Sequence, residues 1–387
     1  METAENPFLT ELNENQIIIR DTIREFAEKN IRPVIMEYDE LQKFPFEIIR
    51  QLGELGFLGI LAPEEYGGAG LGYIEFAIII EELARVDPSV ALSVAAHNGL
   101  GTNHINQFGN KEQKKKYLPD LTSGKKIAAW GLTESVSGSD AAGLKSFAEK
   151  KDGYYLLNGS KTFTTHGTVG DVAVIMAITD KTKRKKGISA FILEKGTEGF
   201  IVGKKENKLG MRASDTTQLT FENCKIPSGN LLGKEGEGFI QAMKILEGGR
   251  ISIAALSVGL AQGCLEASLK YSNERKQFGK YLSEFQSTQF KLAEMHTNIV
   301  SARMLTYRAA LKKDRGESII KEAAMAKLFA SEVAEKASSE AVQIHGGYGF
   351  TKDYPVEKFY RDVKLCTIGE GTSEVQRIVI AKDLLKE

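Results

Sequence analysis

The segment CTIGEGTSEVQR, residues 366–377, sets one carboxylate, Glu370, between two glycines, Gly369 and Gly371. Glycine accepts dihedral angles that a side chain forbids, so Gly-Glu-Gly predicts a tight turn. Thr372 is an N-cap candidate for a terminal helix carrying Val375, Ile378, Val379 and Leu384. A glutamate held in such a turn, near the positive start of a helix and backed by apolar residues, has the makings of a rigid general base. On this stretch alone a solvated turn acid is the simpler reading.

Upstream of the turn, apolar spacing predicts long helices at 238–273, 283–313 and 317–345, the first broken or bent near Gly248-Gly249. Leu292, Met295, Ile299 and Ala302 share a face of the second. Ala326, Ala330, Val333, Ala337, Ala341 and Ile344 form a narrow stripe on the third, as close packing in a bundle requires. Between residues 126 and 237 the period changes to strands, at 127–133, 151–165, 172–179, 188–193 and 216–221. Asp152-Gly153 and Asn158-Gly159 read as hairpin turns there. Before residue 125 the pattern is helical: 17–31, stopping ahead of Pro33, then 45–58, 73–86, 89–108 and 111–118, the last closed by Pro119. A turn-rich loop, APEEYGGAGLG, occupies 62–72. The expectation is an α+β chain with a helical domain at 1–125, a β domain at 126–237 and a helical bundle at 238–387 that carries Glu370.

The 387 residues, 42% hydrophobic and 26% charged, are those of a soluble globular protein of two or three domains. Lys+Arg and Asp+Glu both number 51, so no charge excess favours nucleic acid or an anionic membrane. KTKRKK at 181–186 lies between apolar stretches and reads as a solvated hairpin loop. Cys224, Cys264 and Cys366 form no CxxC, which argues against a disulfide framework or zinc site and fits a reducing compartment. METAENPFLTEL, residues 1–12, has no basic stretch leading into an apolar core and no arginine. It predicts no leader peptide, hence a bacterial cytoplasmic protein, or a matrix protein if a processed mitochondrial form. Apolar runs such as 76–80 are too short to span a bilayer.

Several motifs fail on their spacing. Residues 67–72 (GGAGLG) and 346–350 (GGYGF) do not fit G-x-G-x-x-G, and Gly159-Ser160-Lys161-Thr162 lacks the glycine directly before lysine that a P-loop needs. His97 and His104 have no acidic or thiol partner at ligand spacing, so no metal site is expected. There is no GxSxG. WGLTESVSGSD at 130–140 can present hydroxyls and backbone N–H groups to a phosphate or polar cofactor, although most such stretches are turns. TFTTHG at 162–167 sets an aromatic ring among hydroxyls at a strand end; alone it is a strand and nothing more.

Taken together and in order, APEEYGG near 62, LTESVSGSD at 132–140, NGSKTFTT at 158–165, GGR at 248–250, ERKQFGK at 274–280, AVQIHGG at 341–347 and GEGTSEVQR at 369–377 resemble the acyl-CoA dehydrogenase family over essentially the whole chain. The resemblance implies an N-terminal helical domain, a barrel-like middle β domain, a C-terminal four-helix bundle, bound FAD and a homotetramer built as a dimer of dimers. The implied reaction converts a short- to medium-chain, possibly branched, acyl-CoA to the trans-2-enoyl-CoA and passes electrons to an electron-transferring flavoprotein. Fatty-acid β-oxidation or branched-chain amino-acid degradation is the implied setting. Glu370 matches the base that takes the α-proton, its backbone N–H and a ribityl hydroxyl of FAD being the implied donors to the thioester oxygen. Arg250 lies beside it, and Glu247, Gly248, Gly249, Gly371 and Ser139 match positions at the substrate. Gly249 stands where some relatives carry their base. Trp130, Leu132, Thr133 and Ser139 match the segment lining flavin and CoA; Phe163, Thr164 and Thr165 match the strand against the flavin ring. Arg275, Phe278, Gln286 and the run Gln343, Ile344, His345, Gly346 and Gly347 match residues reaching the FAD of a neighbouring subunit. Thr372, Ser373 and Glu374 match the turn at the flavin's phosphate or adenosine part.

The chain departs from the family pattern in three places. Phe163 stands for a common tryptophan, Ser135-Val136 for Pro-Gly, and Gly369 for a tyrosine beside the base. The last reshapes the acyl pocket, so chain length stays open. The same scaffold also serves flavin oxidases and monooxygenases, which often lack the glutamate or are longer. A non-catalytic nucleic-acid-binding relative needs a basic surface excess. A decarboxylating glutaryl-CoA-type enzyme needs a cation within 85–100, where Arg85 is the only arginine.

Overall fold

The computed structural model describes residues 12–385. Most of the N-terminal stretch on which the leader-peptide reading rests, residues 1–11, lies outside the described residues. The helical part begins with α1 (Glu14–Phe26), where the Asn13 and Gln16 side chains cap one another's backbone N–H groups. A π-helical turn, Ala27–Ile31, carries the chain to Pro33. Then follow α2 (Ile35–Glu40), α3 (Phe46–Glu54), α4 (Tyr73–Val86), α5 (Pro88–Ala96), α6 (Asn103–Phe108) and α7 (Lys111–Thr122). Asp87 caps α5 through its carboxylate, with Pro88 at the first helical position. The helix expected at 89–108 is three pieces, because a π-helical turn at His97–Thr102 separates α5 from α6. Pro119 does not close α7. Its ring frees the Lys115 carbonyl, and both residues are exposed, so water can take that carbonyl.

The middle of the chain forms one sheet of eight strands: β1 (Ala128–Gly131), β2 (Phe147–Lys150), β3 (Tyr154–Thr165), β4 (Val172–Ile178), β5 (Ile188–Glu194), β6 (Phe200–Lys205), β7 (Thr216–Pro227) and β8 (Leu231–Leu232). The order is β6-β7-β3-β2-β4-β5-β8, with β1 parallel to β4. Asp152-Gly153 does turn β2 into β3, with Gly153 at φ 78°. Asn158-Gly159 does not turn the chain. β3 runs through it, and the register against β7 shifts between Leu157 and Gly159. A Cβ on Gly159 would overlap Ser146, so the glycine serves a bulge and a close approach. The basic run at 181–186 joins antiparallel β4 and β5, as expected.

The C-terminal part holds α8 (Gly238–Glu274), a two-residue hairpin of β9 (Lys276–Gln277) and β10 (Lys280–Tyr281), α9 (Gln286–Asp314), α10 (Ile320–His345), α11 (Val356–Asp362), α12 (Lys364–Ile368) and α13 (Ser373–Leu384). α8 runs through Gly248-Gly249 as one helix, so of the break or bend expected there the break does not occur. It is long and apolar enough by composition to cross a bilayer, yet 83% of its most apolar window is buried inside the molecule. It is therefore the core helix against which α4, α9 and α10 pack. Added Cβ atoms at Gly259 and Gly263 would overlap the carbonyls of Glu81 and Arg85, which is how α4 reaches α8 so closely. One apolar core joins the N- and C-terminal helices, and two others flank the sheet. The apolar backing expected of α13 is partial: Val375 is half-buried, while Ile378 and Leu384 are each 52% exposed.

Candidate active site

Thr372 caps α13, its hydroxyl accepting from the Val375 N–H at 3.4 Å. The turn before it holds Glu370 at φ 54° and Gly371 at φ 98°. A left-handed conformation costs a non-glycine residue about 1–2 kcal/mol, so it persists only where the surroundings fix it. Two buried side chains do so. Lys327 Nζ donates to the Gly371 carbonyl at 2.8 Å, and Gln376 Nε2 donates to the Gly371 and Glu370 carbonyls at 2.9 and 3.3 Å. Gln376 lies within the 369–377 motif but was assigned no role, and Lys327 lies in no motif; the available signal for Lys327 is a lone charge in the alanine-rich stripe of α10.

Glu370 is part-exposed as a residue, but its carboxylate points inward and Oε2 is buried without a hydrogen-bond partner. Burial raises the carboxyl to about 7, against the opposing pull of Arg250 and then Lys327. Arg250 is itself buried, its Nε unpartnered. Burial holds its guanidinium below the usual value, with Glu370 and Glu247 acting the other way. A Cβ on Gly249 would overlap Glu370 Oε2, so the glycine is the space into which the carboxylate fits. One residue earlier on α8, a Cβ on Gly248 would overlap the hydroxyl of Tyr73 at the start of α4. The Tyr73 hydroxyl accepts from Asn103 Nδ2 at 3.0 Å, and Asp314 accepts from the Tyr73 and Ile74 N–H groups at 2.6 and 3.1 Å. Glu247 faces Lys313 at 3.5 Å. The fold thus brings Glu370, Arg250, Gly248, Gly249 and Gly371 together with Tyr73, Asn103 and Lys327, which no motif had marked, and with Gln376, which lies inside the 369–377 motif but was given no role there.

The second group of motif residues lies along the sheet. Trp130 Nε1 donates to His104 Nδ1 at 2.9 Å, and His104 Nε2 therefore donates to Gln241 at 3.1 Å. That is a structural histidine, buried and held neutral down to about 4 by desolvation. Leu132 is buried, and its carbonyl accepts from Lys161 Nζ; the Thr133 carbonyl accepts from the Thr162 N–H. Lys161 also pairs with Glu134 at 2.6 Å in the interior. Glu134 and Ser137 exchange backbone hydrogen bonds around Ser135-Val136, so that departure is accommodated in a closed turn. Ser139 is exposed. A second register shift between Lys161 and Thr164 turns Phe163 outward, at φ 53° and 69% exposed. The neighbouring hydroxyls Thr162 Oγ1 and Thr164 Oγ1 are buried without partners, as is Ser373 Oγ at the Glu370 turn. Thr165 lies at the end of β3.

A third group is separate from Glu370 in this chain. Arg275 ends α8 and lies over the Tyr348 ring. Phe278 occupies the tip of the β9–β10 hairpin at φ 52° and is 93% exposed; Gln286 begins α9 and is also exposed. Ile344, His345, Gly346 and Gly347 line a groove of about 500 Å³ with Arg275, Tyr271 and Tyr348, and Gln343 is exposed beside it. His345 stacks on Tyr271 at 4.3 Å, and its buried Nε2 has no partner. An exposed ring, orphaned hydroxyls and an orphaned imidazole nitrogen are groups that a large polar aromatic ligand satisfies; the residues fit the FAD implied by the resemblance. Arg85 does not offer a cation for a substrate carboxylate. It is buried against Glu28, Glu82 and Glu266. Among the described residues no His/Cys/Asp/Glu cluster could hold a metal ion.

Residues 13–125, 129–224 and 236–385 match the N-terminal, middle and C-terminal domains of acyl-CoA dehydrogenase. The chain is 47% identical to a short-chain specific acyl-CoA dehydrogenase of Clostridium acetobutylicum, over 97% of this chain and 99% of that one. Among solved structures, the butyryl-CoA dehydrogenase of Megasphaera elsdenii superposes with a TM-score of 0.95 at 44% identity, covering 97% and 99% of the two chains. A chain in a structure describing the electron transferring flavoprotein of Acidaminococcus fermentans superposes at 0.96 with 47% identity, covering 98% and 100%. The chain belongs to the acyl-CoA dehydrogenase family and is an FAD-dependent oxidoreductase.

Proposed function

We propose that this protein dehydrogenates a short-chain acyl-CoA to its trans-2-enoyl-CoA, that Glu370 takes the α-proton, and that the electrons leave to an electron-transferring flavoprotein. The observation that carries the reading is the Glu370 carboxylate, buried, unpartnered and raised to about 7 beside the Arg250 guanidinium. A general base poised near working pH contributes about 10²- to 10⁴-fold. The α-proton is only weakly acidic, so the thioester oxygen needs a donor as charge develops on it. Among the described residues the Glu370 N–H meets no acceptor, which leaves it free to donate to that oxygen. One such donor is worth roughly 2.7–4 kcal/mol in a dry site. FAD, when bound, accepts the β-hydride.

In this reading Thr133, Thr164, Thr165, Leu132, Trp130 and Phe163 hold the flavin side, and Ser139 the CoA or flavin phosphates. Thr372, Ser373 and Glu374 hold the far part of the cofactor. Arg275, Phe278, Gln286 and the segment 343–347 reach the cofactor of a second copy in a homotetramer; the exposure of Phe278 and the orphaned His345 nitrogen support it. Short-chain preference is supported by the relatives named above.

The test is anaerobic reduction of the purified protein by butyryl-, isobutyryl-, 2-methylbutyryl-, hexanoyl-, octanoyl- and glutaryl-CoA. Butyryl-CoA should bleach the flavin band, which lies near about 450 nm for any oxidised flavin, faster than octanoyl- or glutaryl-CoA. Glu370→Gln should keep FAD and lose at least about 100-fold in turnover. A yellow protein that none of the thioesters bleaches would sink the reading.

A further inference from the structure

Lys327 is fully buried on α10 and, among the described residues, forms no ion pair. A buried ammonium without a carboxylate partner is costly and calls for a reason. Its ammonium donates to the carbonyl of Gly371, the residue after Glu370, which also accepts from Gln376. The alanines around it on α10, Ala323, Ala324, Ala326 and Ala330, are fully buried with it.

We infer that Lys327 is a positioning residue for the Glu370 base: its ammonium fixes the left-handed Glu370–Gly371 turn by the Gly371 carbonyl and brings a second positive charge, beside that of Arg250, into the neighbourhood of the carboxylate. The two cations approach from different helices, Arg250 on α8 and Lys327 on α10. The other groups of this neighbourhood are Glu247 on α8, the Cys366 thiol on α12 and Glu374 on α13. Gln376 holds the same carbonyl without charge, so the geometric and electrostatic contributions separate by mutation. The assignment rests on the reading of Glu370 as the base.

A cation favours the ionised carboxylate, and its removal moves the acid limb of the pH profile upward. Lys327→Met should retain FAD, lose at least tenfold in kcat, and shift the acid limb of kcat by half a pH unit or more. Lys327→Gln, which keeps a donor and drops the charge, should show the same shift with a smaller loss. Lys327→Arg should return the limb toward wild type. Gln376→Leu should lower kcat and leave the limb in place. If Lys327→Met does not fold, Lys327→Gln decides. A charge-removing variant that folds with wild-type kcat and an unmoved limb overturns the assignment. Glu370→Gln is measured in parallel: if it still turns over, the base reading fails; if it is inactive while the lysine variants behave as wild type, only the role of Lys327 fails.

Discussion

At Glu370, the proposed role of the carboxylate and the stability of the fold oppose one another. The folded carboxyl is raised to about 7 by burial, above the ordinary 4.5. The folded state therefore binds the proton more tightly than the unfolded state does. The favourable contribution is fully present below about pH 4.5 and is lost as pH rises through 7, at a cost of about 3 kcal/mol above that. Glu370→Gln should thus melt higher than wild type at pH 8 and show little difference near pH 4.5, as calorimetry at both values would establish. Wild-type kcat/KM should fall below about pH 7 as the base protonates. The tight turn at Glu370 was legible because glycines flank it and a cap follows, but a catalytic reading of Glu370 came only from the resemblance carried by the motifs together, since the turn alone suits a solvated acid. Tyr73, Lys327 and Gln376 were not legible, since each is an ordinary helical residue until folding brings it onto the turn.

Helices and strands show where local signals succeed. α4 begins and ends where its apolar pattern predicts, at Tyr73 and Val86. Asn158-Gly159 misled because Asn-Gly also suits a bulge within a long strand, and the pairing of β3 with β7 overrides the local preference. Pro119 misled because a proline on the solvent face of a helix costs one hydrogen bond that water replaces. On α8 the pair Gly248-Gly249 breaks nothing and makes room for other side chains. Gly249→Ala should leave the helix intact, slightly favoured by propensity, and displace the Glu370 carboxylate. The expected result is unchanged circular dichroism and FAD content with turnover down at least about tenfold; near-normal turnover would show that the carboxylate has freedom to move.

Across the whole molecule, the three parts of the chain meet at Lys358. Its ammonium binds Asp87, from the cap of α5, and Asp362, which accepts from the Met211 N–H at 2.6 Å. Burial alone would lower the lysine, but Asp362 and Asp87 hold it high; two carboxylates share one cation, and burial with Asp87 beside it raises Asp362 despite Lys358. Lys358→Met leaves both acids buried without a cation and should cost about 3–5 kcal/mol in chemical denaturation. Arg275→Ala acts at the other end of α8. It should lower bound FAD and the assembled mass together, read by absorbance and light scattering; unchanged flavin and mass would remove the inter-subunit role. The order of helical, β and helical parts was legible in the sequence. The ion cluster was not, because its members are scattered along the chain and only long-range packing unites them.

Trp130 is the chain's single tryptophan, and its indole N–H is tied to His104 between α6, β1 and α8. Its emission is therefore a label already in place at that junction. A loosened His104–Gln241 contact would appear as a red shift, and a bound flavin nearby as quenching, so cofactor loading and opening of this junction can be followed in the native protein without any added dye.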